Sequence, residues 1–323
     1  MPWREQDVRF TGKIARAVAV VTYSRRQVLD MLPEFLTKRL ASFGPQRKAA
    51  AAEFRVSDDA LGVLNGALVV RDGDVVKRFT YVFRSPYAVQ RTLVETSWEE
   101  LAAAGLADTM EGGWRLRPRG LEIAEELGRR LRTYVRGLPL PAEPTHRATS
   151  EVWRLAERVP QDAPRTELVR RLTPPPGEPA SDAITLTRGA QILWGYRDDC
   201  HIPAWQAAGY EGPVFDVLSY IWSSPPDVTF TKIGGNRTFE DLAKALFARQ
   251  PRADLERNVD ALIRRGDVAR EGDAVRLTPQ GQRARDAIED ETDRRYFAIW
   301  DLDEAATARL GDDLRTVIDS LPK

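Results

Sequence analysis

The clearest hydrophobic pattern in the chain begins after residue 236, where apolar positions recur with helical spacing. Two helices are predicted, and their inward faces are Phe239, Leu242, Ala245 and Leu246 in the first and Leu255, Val259, Leu262 and Ile263 in the second. Thr238 can cap the first helix, because its hydroxyl can accept from a free N–H of the first turn. Gln250 and Pro251 separate the two helices, and Gly266 ends the second.

Strand-like patterning follows this helix pair. Val268–Arg270 and Val275–Leu277 are short β-capable runs on either side of Glu271–Asp273, a turn that contains a glycine. This arrangement predicts a hairpin. Thr278, with Pro279 at the first helical position, then predicts the start of a long helix. A helix pair, a hairpin and a long helix in this order are typical of a winged helix-turn-helix.

The first half of the chain predicts a similar series of elements. Helices are expected over 12–21, over 26–43, from Asp58 or Asp59 to Val70, from Ser85 and Pro86 to about Gly105, and over 118–135. Residues 75–83 alternate loosely and predict a strand, and a hairpin is expected around Glu111–Gly113. Pro33 falls inside the second predicted helix, where it indicates a helix start or a kink.

These two series are related by a constant offset, which indicates an internal repeat. Adding 161 to a residue number maps Gly105 onto Gly266, Arg115 onto Arg276, Leu116 onto Leu277, Pro118 onto Pro279 and Gly120 onto Gly281 without a gap. All five identities fall at turns, in the wing or at a helix start. Because each has the same structural task in both copies, the offset predicts two copies of one unit.

Proline-rich stretches between the copies suggest where they are joined. Residues 138–144 and 172–179 have the composition of semi-rigid surface spacers, with a helix expected between them over 152–158. The predicted division is therefore a first winged-helix unit over 1–143, a Pro-rich linker with a short helix over 144–181, and a second winged-helix unit with C-terminal helices over 182–323.

Composition and charge exclude several classes of protein. The apolar and charged fractions are those of a soluble globular protein, and no run approaches a membrane span or a signal-peptide core, so we expect a cytoplasmic chain without a membrane partner. A single cysteine and two histidines are too few for a Cys/His zinc site, and no Gly-rich phosphate loop is present. We therefore expect no cofactor and no metal.

Net charge is zero overall but divided unevenly. Residues 1–150 contain 24 Lys and Arg against 18 Asp and Glu, whereas residues 151–323 contain 24 against 30. An anionic partner is therefore expected to prefer the first half.

The wing and its preceding helix resemble the MarR-type winged helix-turn-helix regulators. The second half is more similar to an actinobacterial helix-turn-helix family of largely undefined function, whose members carry two such units in one chain. The residues that carry this resemblance are Arg197 to His201, Ala207 to Gly209, Leu262 to Gly266, Leu277, Thr278, Gly281, Thr292, Asp293 and Trp300. The resemblance implies a mainly α fold with small β-wings, built from two tandem winged helix-turn-helix units related by a pseudo-twofold axis.

Function follows from the same resemblance. It implies a transcription regulator that binds double-stranded DNA and responds to a small ligand, either as a monomer or as a homodimer. The alternative is a winged-helix descendant that binds a small molecule or a protein without binding DNA. Side chains that would contact DNA are Tyr87, Gln90, Arg91, Arg115 and Arg117 in the first unit and Arg252, Arg257, Asn258, Arg270 and Arg276 in the second.

An aromatic cluster between residues 194 and 222 is the second feature that could carry function. As the wall of a cavity for a planar aromatic ligand, it would use Trp194, Tyr196, His201, Trp205 and Tyr220. As a packed core it would join the two units, which is the commoner use of such residues. Cys200 beside Asp199 and His201 is a weak candidate for a nucleophile, because neighbours in sequence rarely face each other and no oxyanion motif accompanies them. We therefore expect no catalytic residues and no enzyme activity.

Overall fold

A computed structural model describes residues 23–71, 73–77, 91–171, 179–222, 237–246 and 250–322. Its helices are α1 (Arg25–Lys38), α2 (Gly44–Phe54), α3 (Asp58–Val70), α4 (Arg91–Ala103), α5 (Pro118–Arg136), α6 (Ala142–Glu157), α7 (Pro164–Arg171), α8 (Asp182–Ala207), α9 (Gly212–Ile221), α10 (Phe239–Leu246), α11 (Arg252–Arg265), α12 (Pro279–Tyr296) and α13 (Glu304–Asp319). Its strands are β1 (Val75–Lys77), β2 (Ala107–Met110), β3 (Gly113–Leu116), β4 (Arg237–Thr238), β5 (Val268–Glu271) and β6 (Ala274–Leu277). The predicted mainly helical fold with small antiparallel sheets is confirmed.

The predicted helix over 12–21 and the predicted helix start at Ser85 and Pro86 lie outside these residues, and of the strand predicted over 75–83 only residues 75–77 are described, as β1. Within the described part of the chain, no helix has the length and apolar character needed to cross a bilayer.

The two sheets share one strand order and one register. Each has three antiparallel strands, in the order β1-β3-β2 and β4-β6-β5. Partners related by the offset of 161 are Val76 with Trp114 and Arg237 with Val275, and Ala107 with Leu116 and Val268 with Leu277. Gly105 and Gly266, which follow the ends of α4 and α11, have φ of 71° and 78°, where a side chain would be strained. Residues related by the offset thus occupy equivalent places in both sheets.

Gly120 and Gly281 explain why glycine recurs at the start of the long helices. A Cβ on Gly120 would lie 2.1 Å from the carbonyl oxygen of Leu106, and one on Gly281 would lie 2.0 Å from that of Asp267. Both helices therefore approach the start of the wing so closely that no side chain fits between the backbones. The recurring residue is a requirement of packing.

Buried apolar side chains of the described residues form three clusters. One lies within residues 50–127 around α3, α4 and the first sheet, and a second lies within 204–288 around α9, α10, α11 and the second sheet. We refer to these as the first unit and the second unit. The third cluster, the central core, joins α1, α6, α8 and α13 with the last turns of α5 and α12. Each sheet thus belongs to a small unit with its own core.

Residues 144–181, interpreted from sequence as a linker, take part in the central core. α6 spans Ala142–Glu157, and its residues Ala148, Val152 and Leu155 are fully buried in a helix that packs on α8. The segment therefore contains more helix and is more buried than a surface spacer. The flanking prolines are visible in the sequence, but this long-range packing is not. The division into domains stays a prediction.

Pro33 lies inside α1 and is buried, and the helix continues to Lys38. The sequence indicated a helix start or a kink there, since proline removes one backbone hydrogen bond. The surrounding apolar residues, Val28, Leu29, Leu32 and Phe35, are almost completely buried and hold the helix in place. The predicted helix over 26–43 therefore ends at Lys38, and α2 begins at Gly44. The cap of α3 is Ser57 rather than Asp58 or Asp59.

Candidate nucleic-acid interface

α10 and α11 form the predicted helix pair. Thr238 Oγ1 accepts from the Asp241 N–H at 3.0 Å, and Asp241 Oδ2 accepts from the Thr238 N–H at 3.3 Å, which is a capping box. α11 packs on α9, ends at Gly266, and buries one apolar face made of Leu255, Val259 and Leu262. The opposite side of α11 is therefore available to a partner.

Two arginines that the sequence assigns to DNA contact meet over one aromatic ring. The guanidinium carbon of Arg252, in the first turn of α11, lies 5.0 Å from the ring centroid of Phe239, and that of Arg270, on β5, lies 4.9 Å from it. Phe239 is 1% exposed, so its ring is a fixed platform. This arginine pair lies where α10 and α11 begin, and the dipoles of both helices favour an anion there.

Carboxylates accompany one member of the arginine pair but not the other. Arg252 is 2.6 Å from Glu240 and 3.7 Å from Glu256. Arg270 donates to the carbonyl oxygen of Gly272 at 3.2 Å, and no carboxylate of the described residues forms an ion pair with it. Arg270 thus keeps its full charge at the surface.

The other predicted arginines of the second unit are neutralised locally. Arg257 forms an ion pair with Asp254 one turn earlier in α11, and Arg276 forms one with Glu271 across the wing. Exposed pairs of this kind are weak, so phosphate can replace the carboxylate at little cost.

Asn258 is tied into the turn between the two helices. Its Nδ2 donates to Gln250 Oε1 at 2.7 Å, and Gln250 Nε2 in turn donates to the carbonyl oxygen of Pro213 at 3.0 Å. Gln250 is 3% exposed. The sequence predicts Asn258 on the DNA side, and this internal bond ties the side chain to the turn between the helices.

Two exposed cations of the second unit were missed from sequence. Lys244 on α10 and Arg264 on α11 have no carboxylate partner among the described residues. Both lie opposite the apolar face of their helix. The helical periodicity that predicts those apolar faces therefore also predicts that these two side chains are exposed.

In the first unit the two predicted wing arginines also form exposed ion pairs, and the predicted residues of the recognition helix are not described. Arg115 lies 3.3 Å from Asp74, and Arg117 donates to Asp108 through both Nε, at 2.9 Å, and Nη2, at 2.5 Å. Tyr87 and Gln90 lie outside the described residues, and of Arg91 only the backbone, at the first described position of α4, is placed.

α4 itself is acidic along its described length. Arg91–Ala103 contains three glutamates and one arginine. Glu100 accepts from the hydroxyl of Ser57 at 2.6 Å, and Glu99 is exposed. The expectation that an anionic partner prefers the first half is therefore not supported on this helix, because the positive excess of that half lies elsewhere.

The aromatic cluster divides between two cores. Trp205 is 1% exposed and stacks on Phe215 with ring centroids 5.4 Å apart, and Tyr220 packs against the same core of the second unit. Trp194 and Tyr196 are half-buried at the edge of the central core. Trp205 is therefore packed as a core residue. The ligand pocket expected from the sequence stays a prediction.

His201 belongs to a buried ionic cluster that joins α1, α8 and α12. Glu289 lies 2.5 Å from Arg197 and 3.5 Å from Arg26, also pairs with Arg285, and lies 3.8 Å from His201 Nδ1. Burial lowers the pKa of His201 to about 3, so the ring is neutral. Burial alone would raise the pKa of Glu289, but the neighbouring guanidinium groups hold it well below its usual range. The cluster fastens the second unit to the central core.

Asp198 and Asp199 have structural partners on α7. Asp199 accepts from the backbone N–H of Arg165 at 3.1 Å and of Thr166 at 3.4 Å, and so caps the start of α7 from the side. Asp198 lies 3.2 Å from the Arg165 guanidinium. Burial raises the pKa of both carboxyls, against the effect of Arg165.

Cys200 is buried and lies against Tyr196. Burial raises the pKa of its thiol to about 11, so the reactive thiolate is scarce at neutral pH. His201 points instead to Thr292, with Nδ1 2.8 Å from Oγ1. Cys200 and His201 therefore do not form a nucleophile and base.

Two open cavities are present, and neither is lined by the five residues that the sequence assigns to a ligand pocket. One, of about 270 Å³, lies between the ends of α8 and α11 and the start of α12, beside Tyr210 and Arg265. Another, of about 620 Å³, lies between α6 and α13 beside Arg147 and Arg309.

Comparison with known proteins identifies one family. A model described as a helix-turn-helix family matches residues 87–323, about three quarters of the chain. No curated protein and no solved structure matches the chain.

Proposed function

Because the chain belongs to this helix-turn-helix family, we propose that it is a transcription regulator that binds double-stranded DNA through its second unit. Family membership supports a DNA-binding helix-turn-helix protein in general. The finer parts of the proposal are a MarR-like mode of docking, a tandem pair of winged units with only one active on DNA, and response to a ligand.

The arginine pair is the observation that carries the proposal. Arg252 and Arg270 come from the recognition helix and the wing, and both are held near Phe239 by cation–π contact. In winged helix-turn-helix docking, the start of the recognition helix and the wing are the parts that approach the duplex backbone. Two positioned guanidinium groups at this place suit adjacent phosphates.

The alternative of a protein without DNA binding applies best to the first unit. Its equivalent of Arg270 is Thr109, and its recognition helix, α4, carries three glutamates. Repulsion between these carboxylates and phosphate favours a purely structural role for this unit.

Ligand response is the less supported part of the proposal. The half-buried Trp194 lies 5.7 Å from the guanidinium carbon of Arg197, which also pairs with Glu289 of α12. A planar aromatic molecule packed on Trp194 would therefore act on the helix that follows the second wing. Neither enzyme activity nor a cofactor forms part of the proposal, and the oligomeric state, monomer or homodimer, is left open.

Salt-dependent binding to a random-sequence duplex tests the proposal. The wild type should bind with an affinity that falls as salt rises, because phosphate contacts release counterions. In the double variant Arg252→Ala with Arg270→Ala, the slope of log K against log salt should flatten by about 0.9 for each lost phosphate contact.

Arg115→Ala with Arg117→Ala is the matched control, since it removes two wing arginines from the first unit. Its salt slope should equal that of the wild type. If this control loses binding while the Arg252 and Arg270 variant keeps it, the first unit is the DNA-binding one and the proposal is wrong. If the wild type binds no duplex at low salt, the protein is not a DNA-binding regulator.

A further inference from the structure

Arg257 lies on the side of the recognition helix, α11, that is opposite its buried face. In sequence it stands midway between Leu255 and Val259, and a turn of about 100° per residue therefore directs it away from the core that those two residues enter. Its side chain is 69% exposed. When a helix docks in a groove, the residues on this outer side face the base edges, whereas those on the flanks face the backbone.

Two contacts hold the Arg257 guanidinium against the first turn of α11. Its Nη2 donates to a carboxylate oxygen of Asp254, and its Nη1 donates to the carbonyl oxygen of Ala253 at 3.2 Å. The group therefore turns back toward the N-terminal end of the helix, whose residues reach base edges in helix-turn-helix docking. The Asp254 pair is weak while it is exposed, but its attraction strengthens when docking removes the surrounding water.

The hydrogen-bonding groups that Arg257 offers to a partner are all donors. A guanidinium has five N–H groups and no acceptor. Asp254 and Ala253 use two of these groups, and no other described residue accepts from Arg257, so three N–H groups remain. Rotation of the side chain cannot change this polarity, because the group contains no acceptor. A base that Arg257 contacts must therefore present acceptors.

We infer that Arg257 reads a guanine of the DNA target through the major groove, and that Asp254 is the positioning residue that orients it. The inference rests on the proposed function of the second unit. Guanine presents two neighbouring acceptors in the major groove, N7 and O6. Adenine and thymine each present one, beside an amine or a methyl group, and cytosine presents only a donor. Guanine is thus the base that matches a group made of donors.

The first unit has no equivalent of this pair. By the offset of 161, Arg257 and Asp254 correspond to Thr96 and Leu93. A leucine cannot accept a hydrogen bond, and a threonine hydroxyl both donates and accepts, so it does not select for acceptors. Guanine reading by this pair is therefore a property of the second unit.

Base analogues in a selected target test the inference. Selection from a random duplex pool should give a site with one required guanine, where any other base costs about tenfold or more in affinity. Replacement of that guanine by 7-deazaguanine, which lacks N7, should lose part of this affinity. Inosine keeps N7 and O6 and lacks only the minor-groove amine, so it should bind within about twofold of guanine.

Arg257→Ala separates base reading from phosphate contact. The variant should lose the guanine preference at this position and keep the preferences at the other positions of the site. Loss of a phosphate contact would instead weaken binding to all sequences alike.

Asp254→Asn tests the positioning role, because affinity and preference should change in opposite directions. Removal of one negative charge from α11 should raise the affinity for mismatched duplexes about twofold, whereas loss of orientation should reduce the guanine preference to about threefold. Asp260→Asn is the matched control, since Asp260 is exposed on the same helix and forms no ion pair with a described residue. It should raise the affinity equally and leave the preference unaltered. Thermal melts check that each variant is folded.

Failure of the inference is distinct from failure of the proposed function. If the wild type binds duplexes but no guanine preference depends on Arg257, the inference is overturned. If 7-deazaguanine binds as well as guanine while inosine binds worse, the contact is not in the major groove. If Asp254→Asn and Asp260→Asn act alike, Asp254 does not orient Arg257. If no duplex is bound at all, the proposed function itself fails.

Discussion

The two units share a backbone but not a surface. Their sheets pair in the same register, and Gly120 and Gly281 allow the same close approach at the start of the long helix. At two of the positions that would face DNA they differ, since Arg270 and Asn258 of the second unit correspond to Thr109 and Ser97 of the first, whereas Arg276 and Arg252 correspond to Arg115 and Arg91. Backbone requirements have kept the repeat recognisable, while the side chains free of those requirements have diverged.

This difference shows which residues the fold needs and which a function needs. A glycine at a close contact cannot change without breaking the unit, whereas an exposed arginine can. Apart from their contacts with Phe239, these two arginines make only exposed contacts, namely ion pairs from Arg252 to Glu240 and Glu256 and a hydrogen bond from Arg270 to the carbonyl oxygen of Gly272. Such contacts stabilise the fold little, so the presence of the pair in one unit alone favours a partner of that unit.

The largest expected effect tests whether the two units are structurally equal. Gly120→Ala and Gly281→Ala should each destabilise the unit that carries it by about 3 kcal/mol or more, because the new Cβ meets a backbone oxygen. Amide hydrogen exchange should show lost protection within residues 50–127 for the first variant and within 204–288 for the second.

Gly62→Ala is the control for these two variants. Gly62 lies inside α3, and a Cβ there would meet nothing within 4 Å, so the helix should gain about 0.5–1 kcal/mol. Equal loss of protection in both units from a single glycine variant would show that they unfold together and that the comparison of separate units is wrong.

A medium effect concerns how the second unit is fastened. Unfolded histidine titrates near pH 6.5, and the pKa of folded His201 is about 3, so between these values only the unfolded state binds the proton. The stabilisation is complete above pH 6.5 and is lost as the pH falls toward 3. Between pH 7 and pH 5 the loss should be about 2 kcal/mol in the free energy of unfolding, and His201→Gln should remove that part of the pH dependence.

His146→Gln is its control, because His146 is exposed on α6 and lies outside the buried cluster. This variant should keep the pH dependence of the wild type between pH 7 and pH 5. Loss of the dependence in His146→Gln, with none in His201→Gln, would mean that the ionic cluster with Glu289 does not govern the stability of this junction.

The smallest effect is on affinity. Glu240→Gln removes the carboxylate that lies 2.6 Å from Arg252 and should raise affinity for a random duplex about threefold, since exposed pairs are worth up to about 1 kcal/mol. Glu99→Gln on α4 removes an exposed carboxylate from the first unit and should change nothing. A larger gain from Glu99→Gln would place the duplex against the first unit.

Local signals made the second unit predictable from sequence. Thr238, Gly266 and Thr278 act within one helical turn, and the structure shows each at its expected cap. α10, α11 and the hairpin were found for this reason. The repeat offset was visible because its glycines and its proline have no structural substitutes.

Long-range partners could not be predicted in this way. Nothing near Val152 in sequence shows that α6 packs on α8. The partner of Arg115, Asp74, immediately precedes β1, which lies beside β3 in space but far from it in the sequence. For the candidate site, sequence placed Arg252 and Arg270 on the same side but not over one ring. The sequence also does not show that Asn258 is hydrogen-bonded within the protein, because its partner, the buried Gln250, precedes it by two helical turns.

The central core has a consequence for the order in which the protein is made. Within it, α1 packs on α13, and Glu34 forms an ion pair with Arg315 at 2.9 Å across more than 270 residues of chain. During synthesis the first unit can fold as soon as its own residues emerge, since its core needs none from elsewhere. α1 also packs on α8, so part of its apolar face can be covered once α8 has emerged, and the part that packs on α13 is covered only when α13 leaves the ribosome. Until then the exposed apolar side chains of α1 are a surface at which the nascent chain can aggregate.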